Sequence, residues 1–238
     1  MEPHEQPPQV RSRRERPAKP ALTREGIIAA ALTILRDEGL ETVTMRRLAA
    51  ALDTGAASLY VYVHDTEDLH AQLLDALLGS VADAVPVDSP WRERIAAVLT
   101  SYVHILFEYP GIARLTLLTQ PSAPNYLALI DLLIALLGEG GIPDRDAAWA
   151  VDLLLQFATA TAAEQSVRKR SARVVADIAS LSDTIATINA ARYPNIARLG
   201  SELTGGGGAR FRWGLDVLLA GIIATPRAPL ASDPQVNE

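Results

Sequence analysis

Residues 44–62 read TMRRLAAALDTGAASLYVY, and this stretch decides the fold. Thr44 can place its hydroxyl on an orphan backbone N–H and so open a helix over residues 45–52. Asp53, Thr54 and Gly55 break the pattern as a short glycine-containing turn. The spacing predicts a second helix over residues 56–62, with Leu59 and Val63 on one apolar face. Helix, tight turn and short second helix are the parts of a DNA-reading helix-turn-helix. The second helix opens on Ala56, Ala57 and Ser58, whose small side chains let a helix N-terminus approach a groove closely. Tyr60 and Tyr62 offer hydroxyls for phosphates or base edges. Leu48, Leu52, Leu59 and Val63 read as core rather than contacts.

The flanks extend this reading. Residues 22–44, LTREGIIAAALTILRDEGLETVT, form one amphipathic helix with its punctuation. Thr23 and Gly26 suit the opening turn. Ile27, Ala31, Ile34 and Leu35 make an apolar stripe, and Gly39 ends the helix. After the helix-turn-helix, HDTEDLHAQLLDALLGSVADAV starts a long helix near Thr66. Three helices within about 60 residues can bury a small common core.

Further along, Ser89-Pro90-Trp91 predicts a start with Ser89 as cap and Pro90 in the first position, for a helix running to Glu108. Tyr109-Pro110-Gly111 ends it, and a short helix is expected to about Leu118. Helices are also predicted over residues 125–137, 145–170, 174–191 and 210–224. Tyr193-Pro194 reads as a break, residues 205–208 as a flexible glycine linker, and the tail after Pro226 as disordered. The result is an all-α chain with an N-terminal three-helix helix-turn-helix domain and a C-terminal helical regulatory and dimerisation domain. The boundaries expected are a disordered basic arm over residues 1–20, the helix-turn-helix over 21–66, the regulatory part over 67–225 and a disordered tail over 226–238.

Composition narrows the function. The chain has 238 residues, 49% hydrophobic content, no cysteine and a net charge of −6. That is enough to bury a sizeable core. Disulfides, thiolate metal sites and cysteine nucleophiles are excluded. No apolar run reaches about 18 residues, so no membrane span is expected. The polar N-terminus lacks an apolar signal core, so a cytoplasmic location is expected. The charge is unevenly spread. Arg11, Arg13, Arg14, Arg16, Lys19 and Arg24 face Glu15 alone between residues 11 and 24, while residues 67–238 hold 13 Lys/Arg against 19 Asp/Glu. A basic arm and an acidic remainder suggest DNA contact at one end only.

The stretch 22–77, from LTREG to LLDAL, resembles the DNA-binding domain of the tetracycline-repressor (TetR) family. SPWRERIAAVLTSYVHILFEYPGIARL and ARFRWGLDVLLAGI are similar to that family's C-terminal domain. The resemblance implies a homodimer that binds a double-stranded DNA operator and releases it on binding a small-molecule effector. It places Thr44, Arg46, Ala56, Ala57, Ser58, Tyr60, Tyr62 and Thr66 at DNA-facing positions, with Arg46 at a base-contacting one. Two departures stand out: Thr66 replaces the family's usual phosphate-holding lysine, and Val61 replaces a tryptophan of the tetracycline repressor. Ala82, Val98 and Thr116 stand where that repressor uses His, Asn and a magnesium-binding His, so tetracycline–magnesium is not the expected effector. The implied pocket lining is Val98, Tyr102, Thr116, Thr119, Leu132 and Gln156, which suits a largely hydrophobic effector. Pairing would use part of residues 145–170 with 210–224, where Leu215, Leu218, Leu219 and Ile222 form an i, i+3, i+4, i+7 stripe.

Other constellations are weaker. Glu67-x-x-His70 has di-iron spacing, but such a site needs a second motif and two more carboxylates. The glycines at 205–208 lack the strand and the Lys-Ser/Thr of a phosphate loop. His104, within apolar neighbours, reads as packed or pocket-lining. No cofactor, metal or catalytic group is expected. The alternatives to a repressor are a ligand-binding helical dimer without specific DNA binding, supported by the lysine missing at Thr66, and a helical-bundle enzyme, which no acid/base or metal cluster supports.

Overall fold

The computed structural model describes residues 21–227 except 87, 110, 114, 115, 117–121, 171 and 206. The basic arm, the short helix expected to about Leu118 and most of the tail fall outside the described residues or are only partly within them. Among the described residues the chain is helical, with no strand.

Helix α1 (Arg24–Glu38) opens on Thr23, whose hydroxyl accepts the Gly26 N–H at 3.0 Å. It closes on Gly39 at φ +89°, a conformation that a side chain would strain. Helix α2 (Met45–Ala51) is capped by Thr44, which accepts from the Arg47 N–H at 3.2 Å. The turn that follows holds Asp53 at φ +47°, tolerable for an aspartate. Helix α3 covers only Ala56–Leu59. The helix expected to reach Tyr62 ends three residues early and finishes as a turn. Helix α4 (Thr66–Leu78) starts at Thr66 and is capped by Asp65, which accepts the Asp68 N–H at 2.8 Å. Ile27, Leu48, Leu59, Val63, Leu69 and Leu73 are fully buried between these helices. Each such side chain contributes on the order of 1.5–3 kcal/mol.

Helix α5 (Trp91–Glu108) is the centre post of the remainder, packed against α6 (Pro124–Glu139) and α7 (Asp144–Arg170). Pro90 occupies its cap position and Trp91 is its first residue, so Ser89 lies one step outside. Ile95, Leu99, Leu106, Leu133, Leu136 and Leu154 are fully buried along this contact.

Two helices finish the chain beyond α8 (Ala172–Ala186). Helix α9 (Pro194–Thr204) was not expected; Pro194 opens a helix instead of ending one. It lies on α8 so closely that a Cβ on Gly200 would come within 2.4 Å of Ile185. Helix α10 (Gly207–Ala224) starts inside the run read as a linker, with Gly207 and Gly208 in its first turn. The stripe expected to pair two chains is largely intrachain core. Leu215 and Leu219 are buried, Leu218 and Ile222 half-buried, and Phe211 stacks on Phe157 of α7 at 5.4 Å. Gly214 permits that approach, since a Cβ there would meet the Phe157 ring at 2.5 Å.

Candidate DNA-reading head and regulatory core

Around α2 and α3 the sequence-predicted residues separate by role. Thr44 is spent as the α2 cap. Arg46 is exposed and has no hydrogen-bond or ion-pair partner among the described residues. Arg47 is held by Glu38 of α1, with its Nε donating to Glu38 Oε2 at 3.1 Å. That hydrogen bond and the attraction beside it hold the Glu38 carboxyl below its ordinary range and raise the guanidinium. Of two neighbouring arginines, therefore, only Arg46 is left available to a ligand.

Ala57 and Ser58 are exposed at the start of α3, and Ala56 is half-buried. Tyr60 is 51% exposed and Val61 77%. The residue that differs from the tetracycline repressor is thus the most open apolar side chain of the turn. Tyr62 is placed differently. It is half-buried, and its hydroxyl donates to the Leu22 carbonyl at 2.7 Å. A phosphate or base acceptor could take that proton only by breaking this bond. Thr66 is exposed in the first turn of α4, flanked by Asp65, Glu67 and Asp68. Partial burial pushes Asp68 up, but hydrogen bonds from Gln72 and the His64 N–H hold its carboxyl below its ordinary range. Behind the head, His70 sits 3.4 Å from the Val43 carbonyl; burial lowers its pKa, against that bond and nearby Glu67.

In the bundle, Val98 and Tyr102 share the inner face of α5, and both are fully buried. The Tyr102 hydroxyl lies 2.8 Å from Thr159 Oγ1 on α7, a buried polar pair. Burial pushes that phenol well above its ordinary value. Sequence reasoning missed Thr159. Its signal is a hydroxyl on the inward face of α7, between Leu155 and Ala162, which are both buried. Tyr126 of α6 is half-buried, and burial raises its pKa too. Leu132 and Thr116 are half-buried, and Thr116 donates to the Ile112 carbonyl at 2.9 Å. Thr119 lies outside the described residues. Gln156 stands apart from the set: it is exposed on α7 and donates to Asp152 at 2.7 Å.

The outer face of α5 carries a second feature. Glu93, Thr100, Ser101 and His104, with Arg212 from α10, line an open groove of about 670 Å³. His104 is on this surface, not packed inside.

One surface is apolar and, among the described residues, has no helix over it. Trp149 (64% exposed) and Leu153 on α7, and Trp213 (68%) and Val217 on α10, are open. The Arg227 guanidinium lies 3.3 Å over the Trp149 ring and donates to the Arg145 carbonyl, fixing the end of α10 to the start of α7. Among the described residues no group of His, Asp or Glu is arranged to hold a metal ion. No described helix is long and apolar enough to cross a membrane.

Residues 27–73 match the family model for bacterial regulatory proteins of the tetR family, and residues 85–225 match that of the tetracyclin repressor-like C-terminal domain. An HTH-type transcriptional regulator of Saccharopolyspora erythraea is 29% identical, covering 87% of each chain. SCO7704 of Streptomyces coelicolor, described as a transcription regulator, is 47% identical at a TM-score of 0.70, covering 90% of this chain and all of that one. ActR of Streptomyces coelicolor, in its apo form, is 33% identical at a TM-score of 0.78, covering 87% of this chain and 97% of its own. ActR has also been solved in complex with actinorhodin. With a helix-turn-helix at one end, a helical bundle behind it and both family models matched in order, the chain belongs to the tetR family of transcriptional regulators.

Proposed function

We propose that the protein is a ligand-responsive transcriptional repressor. It binds a near-palindromic operator as a homodimer and releases it when a small, largely hydrophobic effector enters the bundle. The observation that carries this reading is Arg46, exposed and without a partner among the described residues, beside the small, exposed start of α3. A side chain with no internal partner can spend its planar fork on a guanine edge. Ala57, Ser58 and Tyr60 would join it, Thr44 and Ala56 would shape the approach, and the basic arm would add phosphate contacts. Two reading heads would enter successive major grooves about 34–36 Å apart.

Pairing would use the open apolar strip of Trp149, Leu153, Trp213 and Val217, with Gln156 on the same face of α7. The effector would open the interior around Val98, Tyr102, Leu132 and Thr159, where two hydroxyls wait in an apolar setting. Such a lining suits an aromatic ligand with few polar groups. Actinorhodin, the ligand held by ActR, is the first probe to use.

A second reading, a ligand-binding dimer without specific DNA binding, has one observation in its favour. Thr66 supplies no charge, and three carboxylates surround it where a phosphate would lie. Footprinting on the DNA upstream of the protein's own gene separates the two. Protection of a palindrome that is lost on adding effector supports the repressor. Binding of effector with no protection anywhere supports the second reading.

A further inference from the structure

We propose that Asp75 and Asn125 form the joint through which the regulatory bundle sets the position of the reading head. The proposal rests on the repressor reading for its biological meaning, but the joint itself is a matter of geometry.

Helix α6 starts without a cap of its own. Ala123, at the cap position, has no side-chain acceptor, and Pro124, the first helical residue, has no N–H. The N–H groups left in need are those of Asn125 and Tyr126, the pair that a local cap would normally satisfy. Asp75, from α4, takes that role across 50 residues of sequence: its Oδ1 accepts from Asn125 N at 2.9 Å and from Tyr126 N at 3.0 Å. A carboxylate there also suits the positive end of the helix dipole. The exchange is mutual. Asn125 Nδ2 donates to the Asp75 carbonyl at 3.0 Å. That carbonyl lies in the last turn of α4, whose C=O groups lack intrahelical partners. Each helix end is capped by the other helix.

This arrangement removes independent motion. Hydrogen bonds of this kind weaken beyond about 3.2 Å. A shift of the first turn of α6 by about an ångström must carry α4 along or lose the cap. Helix α4 meets the bundle chiefly on α6, while it also packs on α1 of the reading head, with Leu69 and Leu73 fully buried. A rearrangement among α5, α6 and α7 therefore reaches α4 at Asp75 and passes on to the reading head. Asp75 and Asn125 act as positioning residues, through the helix ends that they hold together.

The absence of cysteine makes the test clean. Spin labels are placed by Asp37→Cys on α1 and Asp131→Cys on α6, both exposed. Labelled chains are diluted into unlabelled protein, so that the distance within one chain is read. Asp75→Ala is expected to broaden that distance distribution and to raise amide exchange in the peptide 122–130 by about tenfold. Asp75→Asn keeps an acceptor oxygen and should restore most of the width. Asn125→Ala leaves the α6 cap acceptor in place and should broaden the distribution less. In parallel, affinity is measured for a duplex that the wild-type protein selects from a random pool. Asp75→Ala should weaken it several-fold, and Asp75→Asn should recover it. An unchanged distance distribution in Asp75→Ala, with or without faster exchange, makes the cap merely structural and overturns the joint. If the wild type selects no duplex, the repressor reading fails, and the distance measurement still decides the joint.

Discussion

The hydroxyl of Tyr62 donates to the backbone carbonyl of Leu22 at 2.7 Å, across 40 residues of sequence. It ties the end of the reading turn to the residue before the α1 cap, and so sets how far the turn can swing from α1. Removing the hydroxyl loses one half-buried hydrogen bond, about 0.5–1.5 kcal/mol. Tyr62→Phe should therefore lower the melting temperature and weaken binding to operator by loosening the head. Tyr60→Phe should leave the melting temperature alone, since Tyr60 is 51% exposed, and weaken operator binding only. Calorimetry and operator titration on the two variants check this. Equal melting temperatures for Tyr62→Phe and wild type would make the 2.7 Å contact energetically idle.

Arg46 and Arg47 are adjacent in sequence but differ in what holds them. Arg47 is paired with Glu38, and Arg46 has no partner among the described residues. Arg46→Ala should cost about 1–3 kcal/mol of specific operator affinity and leave binding to random DNA nearly intact. Arg47→Ala should act on both DNAs alike, through the placement of α2. Equal losses on operator and random DNA for Arg46→Ala would reduce Arg46 to a phosphate contact.

How far the sequence was legible follows from where the forces are local. Thr23, Gly39 and Thr44 mark helix ends through bonds to residues within four positions, and the structure places all three ends there. The end of α3 is not local. Tyr60, Val61 and Tyr62 could continue a helix, but the long-range bond to Leu22 and the burial of Val63 close the turn first. Helix α9 had a signal that was misread: Pro194 is as good an opening residue as a breaker, and Ile196, Leu199 and Leu203 follow at i, i+3 and i+7. The stripe on α10 was visible as a stripe. Its partner was not, because an apolar face looks the same whether it meets its own chain or another. Gly214 and Phe157 decide it for Leu215. Among the pocket candidates, Val98 and Tyr102 keep helical register, whereas Gln156 follows a face of α7 that the family resemblance alone could not orient.

The apolar strip left on α7 and α10 makes a separable prediction. Trp213 is 68% exposed, so Trp213→Asp should fold as well as the wild type. In a dimer the same change buries an unpaired charge, which is strongly unfavourable. Sedimentation should find a monomer with unchanged helical content, and operator affinity should collapse with the loss of two-headed binding. Leu215→Asp, by contrast, places a charge in the chain's own core and should unfold it. A Trp213→Asp dimer of normal affinity would move the pairing surface elsewhere.

His70 gives the reading head a dependence on pH whose sign is fixed by burial. Burial, the largest effect, lowers its pKa from the ordinary 6.5, against the hydrogen bond to the Val43 carbonyl and the nearby Glu67. The unfolded chain therefore takes up the proton first as pH falls. The stability that comes from keeping the imidazole neutral is complete above 6.5, declines as pH drops through that value, and is gone below the folded pKa. Asp68, whose carboxyl is held below its ordinary range, titrates lower than this window. His70→Gln keeps a donor for Val43 but cannot charge. Melting temperatures taken from about pH 7.5 to 5 should fall more steeply for the wild type than for His70→Gln. Because Val43 directly precedes the α2 cap, operator affinity should weaken in the same pH interval for the wild type and less for the variant. Parallel melting curves for the two proteins across that range would show that His70 carries none of the pH dependence.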